Sequence, residues 1–154
     1  MKILFIEDDE NKRQRVLQFL QEKESEIHVV EAKSLQSGVK QLKKNEFDLI
    51  ILDMTLPNFD VGPDEPVGGV THSFGGREFL KQVKRLHVRT PVVVVTQFET
   101  FGRSGQEIGI GELDYRLKDE FGEVYLGAVY YHPSIDDWKQ ILNEIIDAHQ
   151  TKNV

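Results

Sequence analysis

Apolar runs alternate with segments of helical spacing along the chain, and this alternation predicts five successive β–α units. The predicted strands are Lys2–Ile6, Ile27–Glu31, Phe47–Leu52, Pro91–Val95 and Val124–Tyr131. Three of them contain an uninterrupted apolar run, which is typical of strands that helices cover on both faces. Because parallel strands are joined by right-handed crossovers, the pattern predicts an α/β fold, a doubly wound five-stranded parallel sheet of order 2-1-3-4-5.

The helices are predicted from apolar residues that recur at the spacing of one helix face. Asp9 is a candidate cap for the first helix, the fourth helix is predicted to stop at Gly122, and Ser134 is expected to cap the fifth. The length of 154 residues fits one domain, to which we assign residues 1–154. One connection, residues 58–75, is unusually long and rich in glycine, proline and acids, so we interpret it as an inserted loop.

The composition excludes several classes of site. The chain has no cysteine, which removes thiolate metal centres, disulfides and cysteine nucleophiles and fits a reducing compartment. The net charge of −7 opposes direct binding to nucleic acid or to an anionic membrane, and the apolar runs are shorter than a membrane span. We therefore expect a cytoplasmic protein with a mature N-terminus and protein partners, and neither DNA nor membrane binding.

The residues that follow the strands carry the candidate chemistry, because ligands of this architecture bind outside the carboxyl ends of the strands. These residues are Glu7, Asp8 and Asp9 after the first strand, Asp53 after the third, Thr96 after the fourth and His132 after the fifth. Carboxylates gathered at one edge repel one another unless a hard cation lies among them, so Mg²⁺ is the expected cofactor. Asp53 is the leading candidate for reaction or metal binding because it ends the most buried predicted strand.

Four segments resemble the receiver domain of two-component response regulators, in the order of that family and over nearly the whole chain. They are Ile3-Leu4-Phe5-Ile6-Glu7-Asp8-Asp9-Glu10, Leu52 to Pro57, Pro91 to Thr96, and the aromatic-His132-Pro133 end of the fifth strand. The resemblance implies a flavodoxin-like receiver fold in which Asp53 is the phosphoacceptor and Glu7 and Asp8 are metal-binding acids. It also implies that Thr55 offers its backbone carbonyl to the metal, and Thr96 its hydroxyl to the phosphoryl group.

Three residues depart from the family pattern. His132 stands where the family has a lysine, Gln97 stands where a small residue is usual, and Val129 occupies the position of an aromatic switch residue. An imidazole is charged for only part of the time near neutral pH, so a switch that uses His132 is expected to depend on pH. The alternative is that His132 merely ends the strand.

The resemblance implies a phosphoprotein of a two-component system or phosphorelay rather than a conventional enzyme, with self-dephosphorylation as its own activity. The implied partners are a histidine kinase or phosphotransfer protein, and then a downstream protein or a second copy of the chain.

Two alternatives remain open. One is a pseudo-receiver that binds partners without phosphorylation, which the loss of the lysine favours. The other is a phosphatase of the haloacid dehalogenase type, suggested by Asp53-Met54-Thr55-Leu56, although that motif usually has a second acid where Thr55 stands.

Overall fold

The computed structural model describes residues 1–23, 26–60, 71–72, 74–102 and 105–152. Within these residues the strands are β1 Lys2–Ile6, β2 His28–Ala32, β3 Leu49–Leu52, β4 Leu56–Pro57, β5 Thr71–His72, β6 Val92–Thr96, β7 Thr100–Phe101, β8 Ile108–Gly109 and β9 Tyr125–Tyr130. The helices are α1 Glu10–Lys23, α2 Leu35–Lys44, α3 Gly75–Arg85, α4 Ile110–Phe121 and α5 Asp137–Lys152. None of these helices combines the length and the apolar character needed to span a membrane.

Five of the strands form one parallel sheet in the order β2-β1-β3-β6-β9. When only the strands of this sheet are counted, the order is 2-1-3-4-5, which confirms the predicted topology. The central strands β1, β3 and β6 are almost completely buried, as their apolar runs predicted.

Alternate residues of the sheet point into two separate cores. On one face, Leu4 and Ile6 of β1 pack with apolar residues of α2, α3 and α4. On the other face, Ile3 and Phe5 pack with residues of α1 and α5. Helices thus cover both faces of the sheet, and the loops that follow the strands gather at its carboxyl edge.

The ends of three helices test the predicted caps. The Lys12 N–H donates to Asp9 Oδ2 at 2.9 Å, so Asp9 caps α1 as expected. Helix α4 ends at Phe121 with Gly122 as its cap residue, which confirms the predicted stop.

The prediction that Ser134 caps α5 is wrong, because α5 begins at Asp137. The Ser134 N–H instead donates to His132 Nδ1, and this turn keeps the backbone out of the helix.

Part of the connection 58–75, which we expected to be a loop, forms a short ribbon. Strands β4 and β5 pair antiparallel, with Leu56 opposite His72 and Pro57 opposite Thr71. Strands of two residues carry no periodic pattern, which is why the sequence did not indicate them. Residues 61–70 and 73 of this connection lie outside the described residues.

Candidate functional site

Backbone pairing carries the predicted site residues to one edge of the sheet. The Glu7 N–H donates to the Ala32 carbonyl at 2.9 Å, and the Asp53 N–H donates to the Ile6 carbonyl at 3.0 Å. Both residues therefore continue the hydrogen-bond ladders of the strands that precede them. Strand β6, which pairs with β3, ends at Thr96 and brings this residue to the same edge.

Three carboxylates meet at this edge. One oxygen of Glu7, one of Asp8 and one of Asp53 all lie within 4.8 Å of one another. Glu7 is 1% exposed and Asp53 is 4% exposed, whereas Asp8 is exposed to solvent. The structure thus brings the three predicted acids together in a cluster that is buried on one side and open on the other.

A lysine from α1 lies inside this cluster. The Lys12 ammonium is 2.6 Å from Glu7 Oε1 and 3.1 Å from Asp53 Oδ1, and it donates to the Val95 carbonyl at 2.5 Å. Side chains of a helix lean toward its N-terminus, so the long stem of Lys12 in the first turn of α1 reaches back over the end of β1. An unpaired ammonium would be costly in this buried position, and the two carboxylates and the carbonyl compensate for that cost.

Burial and charge set the ionisation of the cluster. Burial raises the pKa of Glu7 well above its ordinary value, and the attraction of Lys12 offsets only part of this rise. Although Asp8 is exposed on one side, partial burial of its carboxylate and the nearby charge of Asp53 raise its pKa to about 6. Burial alone would lower the pKa of Lys12, but attraction to Asp53 and Glu7 raises it instead. A further cation beside the carboxylates would therefore favour their ionised forms.

Two threonines border the cluster. The Thr55 hydroxyl donates to Asp53 Oδ2 at 3.3 Å, so both oxygens of the Asp53 carboxylate are held, one by Thr55 and one by Lys12. Thr96 is fully buried, and its Oγ1 accepts a hydrogen bond from the Phe98 N–H at 3.2 Å. The roles of the Thr55 carbonyl toward a metal and of the Thr96 hydroxyl toward a phosphoryl group stay predictions.

His132 lies on the turn after β9 and is half-buried. Its Nδ1 accepts a hydrogen bond from the Ser134 N–H at 3.0 Å, and its ring lies edge-on to that of Tyr130 with the centroids 6.4 Å apart. Among the described residues, the side chains that donate hydrogen bonds to the Asp53 carboxylate are those of Lys12 and Thr55, not that of His132. The predicted role of His132 at the site stays a prediction.

Two glycines at the start of α3 allow the helix to approach the backbone that carries Asp53. A Cβ on Gly76 would lie 2.7 Å from the Asp53 carbonyl oxygen and 2.9 Å from the Met54 Cα, and a Cβ on Gly75 would lie 2.6 Å from the Leu56 carbonyl oxygen. The Gly76 N–H also donates to the Met54 carbonyl at 2.7 Å. A larger side chain at either glycine would force α3 away from this segment.

The donor set fits a divalent cation such as Mg²⁺. When fully ionised, three carboxylates and one ammonium leave the cluster with a formal net charge of −2. Although Glu7 Oε1 is in ion-pair contact with Lys12, this buried oxygen accepts no hydrogen bond of good geometry from the described residues. A cluster of carboxylate oxygens that is open to solvent on one side suits Mg²⁺, because this ion usually keeps several water ligands.

Lys12 is the site residue that the sequence reasoning missed. Lys12, Val16 and Leu20 recur at a spacing of four residues and form the buried stripe of α1. Lys12 stands in register with this buried stripe and follows the acids at the end of β1. This combination indicates a buried ion pair, and the sequence analysis could have used it to find Lys12.

Comparison with known proteins identifies the family. The family model of the response regulator receiver domain matches residues 3–65 of this chain. The uncharacterised protein y4jR of Sinorhizobium fredii is 36% identical over 141 residues, which cover 90% of this chain and 92% of that protein. The Detocs response regulatory protein DtcB of Enterobacter cloacae is 31% identical over 141 residues, which cover 90% of this chain and 93% of that protein.

A solved structure shares the fold. The response regulator protein TrrA of Thermotoga maritima, in complex with Mg²⁺ and BeF, aligns with a TM-score of 0.60 and 16% identity, over 94% of this chain and 97% of the other. The sheet order, the receiver-domain match and the relatives that span nearly the whole chain agree with one another. We conclude that this chain belongs to the response regulator receiver domain family.

Proposed function

We propose that this protein takes one phosphoryl group on Asp53 in a magnesium-dependent reaction and signals through protein contacts. The donor is the phosphohistidine of a histidine kinase or of a phosphotransfer protein. The observation that carries the proposal is the Asp53 carboxylate at the end of a buried central strand, with oxygens of Glu7 and Asp8 within 4.8 Å. Likeness to a response regulatory protein over most of the chain supports a regulatory role.

Glu7, Asp8 and Asp53 would hold the metal through carboxylate oxygens, and the Thr55 carbonyl would be a further ligand. When bound, Mg²⁺ neutralises the negative charge that the phosphoryl oxygens bring to the carboxylates. The complex of TrrA with Mg²⁺ and BeF supports this assignment for a protein of the same fold.

Asp53 performs the covalent step. One of its carboxylate oxygens forms a bond to phosphorus while the P–N bond of the donor breaks; the electron pair stays on the histidine nitrogen, and the imidazole takes up a proton. Lys12 and Thr55 hold the two oxygens of Asp53 and so orient the carboxylate. Thr96 is the proposed hydroxyl partner of the transferred group. The product is an acyl phosphate that carries a charge of about −1.5 to −2.

Incubation with acetyl phosphate and Mg²⁺, followed by intact-mass measurement, tests the proposal. We expect the wild type to gain one phosphoryl group, the gain to disappear with a chelator, and Asp53→Asn to gain none. Asp119→Asn, which alters an exposed acid of α4, is the matched control and should gain as much as the wild type. Absence of any gain in the wild type, or an equal gain in Asp53→Asn, would contradict the assignment.

A second candidate function is a binding module that signals without phosphorylation. It is favoured by one observation, the Lys12 ammonium in contact with both Glu7 and Asp53, where it already neutralises part of the cluster. This function predicts a folded wild type that shows no mass gain from acetyl phosphate.

A further inference from the structure

Lys12 occupies a position that would normally take an apolar side chain. It shares the buried stripe of α1 with Val16 and Leu20 and is 1% exposed. Burial of a lysine here is favourable only because its ammonium meets two carboxylates and a backbone carbonyl. An apolar residue would fill the stripe but would leave Glu7 and Asp53 as buried, uncompensated acids. The lysine is therefore tied to the chemistry of these two carboxylates rather than to packing.

The contacts of Lys12 connect the three strands that form the centre of the site. Glu7 follows β1, Asp53 follows β3, and Val95 is the second-to-last residue of β6. One ammonium thus fixes the relative positions of Glu7, a proposed metal ligand, of Asp53, the proposed phosphoacceptor, and of the backbone just before Thr96. The charge arrives from α1, on the side of the sheet that also carries α5.

In the part of the chain that the structure describes, the end of β9 makes no such ion pair with Asp53. The Nδ1 of His132 is used by the Ser134 N–H of its own turn, and the ring lies against Tyr130. The side chain that stands where the family pattern has a lysine therefore contacts residues at the end of β9 and in the following turn.

We infer that Lys12 is the fixed positive charge of this site, supplied from α1 instead of from the end of β9. Without metal it is the counter-ion of Glu7 and Asp53, and after transfer it pairs with the phosphoryl group on Asp53. Because Lys12 and a divalent cation use the same two carboxylates, the ammonium also weakens the binding of Mg²⁺ to the unphosphorylated protein. The pairing with the phosphoryl group rests on the proposed function, whereas the competition with Mg²⁺ does not.

Titration of the unphosphorylated protein with MgCl₂ by calorimetry tests the competition. We expect Lys12→Met and Lys12→Gln to bind Mg²⁺ about tenfold more tightly than the wild type, since a charge in contact with the ligands has been removed. Lys12→Arg keeps the charge and should retain the affinity of the wild type. A residue that only supported the fold would weaken binding when replaced, so an unchanged or weaker affinity in both neutral variants overturns the inference.

Lys23→Met is the matched control for this titration. Lys23 lies on the same helix and is paired with Asp147 at 2.7 Å, outside the cluster. Its replacement should leave the affinity for Mg²⁺ unchanged. Lys12→Gln keeps hydrogen-bond donors for the two carboxylates, so it provides a folded neutral variant if Lys12→Met does not fold.

Retention of beryllium fluoride at saturating Mg²⁺ tests the pairing with the phosphoryl group. We expect Lys12→Gln to lose affinity for this phosphoryl mimic by about tenfold or more, while His132→Gln retains it. Loss in His132→Gln together with retention in Lys12→Gln would return the role to the end of β9 and overturn the inference. If the wild type binds Mg²⁺ but takes neither beryllium fluoride nor a phosphoryl group, the proposed function fails, and the Mg²⁺ titration still decides whether Lys12 is the counter-ion.

Discussion

At the scale of single residues, the site depends on buried charges that compensate one another. Glu7, Asp53 and Lys12 are each less than 5% exposed and lie in direct ion-pair contact. Removal of one member of such a group typically costs about 3–5 kcal/mol, because the other charges stay buried without a partner. Asp8 differs from them because it is exposed, so it can gain or lose a proton without disturbing the core.

The raised pKa of Asp8 predicts how stability depends on pH without metal. Its pKa is about 6 in the folded protein, against an ordinary value of 3.8. Between about pH 4 and pH 6 the folded state therefore binds more protons at Asp8 than the unfolded state does, so the free energy of unfolding falls as the pH rises. Asp8→Asn should lose this contribution to the pH dependence of the free energy of unfolding. We expect the contribution to be small, because solvent screens the charge of the exposed Asp8 side chain.

Urea unfolding of the wild type and Asp8→Asn, measured from pH 4 to pH 7 in the presence of a chelator, checks this expectation. The difference between the two proteins should change across the window and become constant above pH 7. Added Mg²⁺ should stabilise the wild type more at pH 7 than at pH 5, because it binds the ionised carboxylate. A difference that is independent of pH would show that Asp8 titrates normally.

Gly76 gives a prediction about the backbone that positions Asp53. In Gly76→Ala the new Cβ would lie 2.7 Å from the Asp53 carbonyl oxygen, and this neighbour is main chain that cannot turn aside. We expect the free energy of unfolding to fall by about 1–3 kcal/mol. Gly111→Ala is the matched control in α4, since its Cβ would meet no atom of the described residues within 4 Å beyond its own stretch of helix, and should stabilise the helix by about 0.5–1 kcal/mol. Equal effects of the two substitutions in urea unfolding would contradict this account.

At the scale of elements, the ribbon of β4 and β5 separates the core from the inserted connection. Pairing of Pro57 with Thr71 brings the two ends of the connection together. Between them, the Asn58 carbonyl accepts the Gln36 N–H at 3.0 Å, and Asp60 Oδ1 accepts the Ser37 hydroxyl at 2.9 Å. The first part of the connection is thus tied to α2.

Replacement of residues 61–70 by two glycines tests whether the connection can be separated from the fold. The change keeps the contacts of Asn58 and Asp60 with α2 and closes the ribbon with a short loop. Because closure entropy depends only weakly on loop length, the free energy of unfolding should change by less than about 1 kcal/mol. Loss of cooperative unfolding would mean that the deleted residues belong to the core. Extending the deletion to residues 58–60 should cost more, since both contacts with α2 disappear.

At the scale of the whole molecule, the carboxylates of Glu7, Asp8 and Asp53 and two short ribbons lie toward one end of the sheet. Strands β7 and β8 pair antiparallel, as β4 and β5 do, with Phe101 opposite Ile108. The ribbon of β4 and β5 begins four residues after β3, and the ribbon of β7 and β8 begins four residues after β6. The phosphoryl donor that we propose for Asp53 would therefore approach past the segments that directly follow the central strands β3 and β6. These segments are the parts of the molecule in which we expect recognition of partners to be encoded.

The sequence predicted the large elements well because burial imposes a strong pattern on them. The run from Ile3 to Ile6 marks β1, and Gly122 marks the end of α4, since both signals are local and physical. The start of α5 was predicted too early because the turn at His132 depends on side-chain hydrogen bonding that no periodicity reveals. Lys12 was missed for a related reason: a lysine is assigned to the surface by its type, and two of its partners, Asp53 and Val95, are distant in sequence.

Chemical mapping of the phosphorylated residue tests the central claim most directly. Borohydride reduces an aspartyl phosphate to homoserine, so peptide mass spectrometry after treatment identifies the acceptor. With acetyl phosphate and Mg²⁺, we predict homoserine at position 53, and none when the metal is chelated. Homoserine at another aspartate, or a phosphoryl group that resists borohydride, would contradict the assignment of Asp53 as the phosphoacceptor.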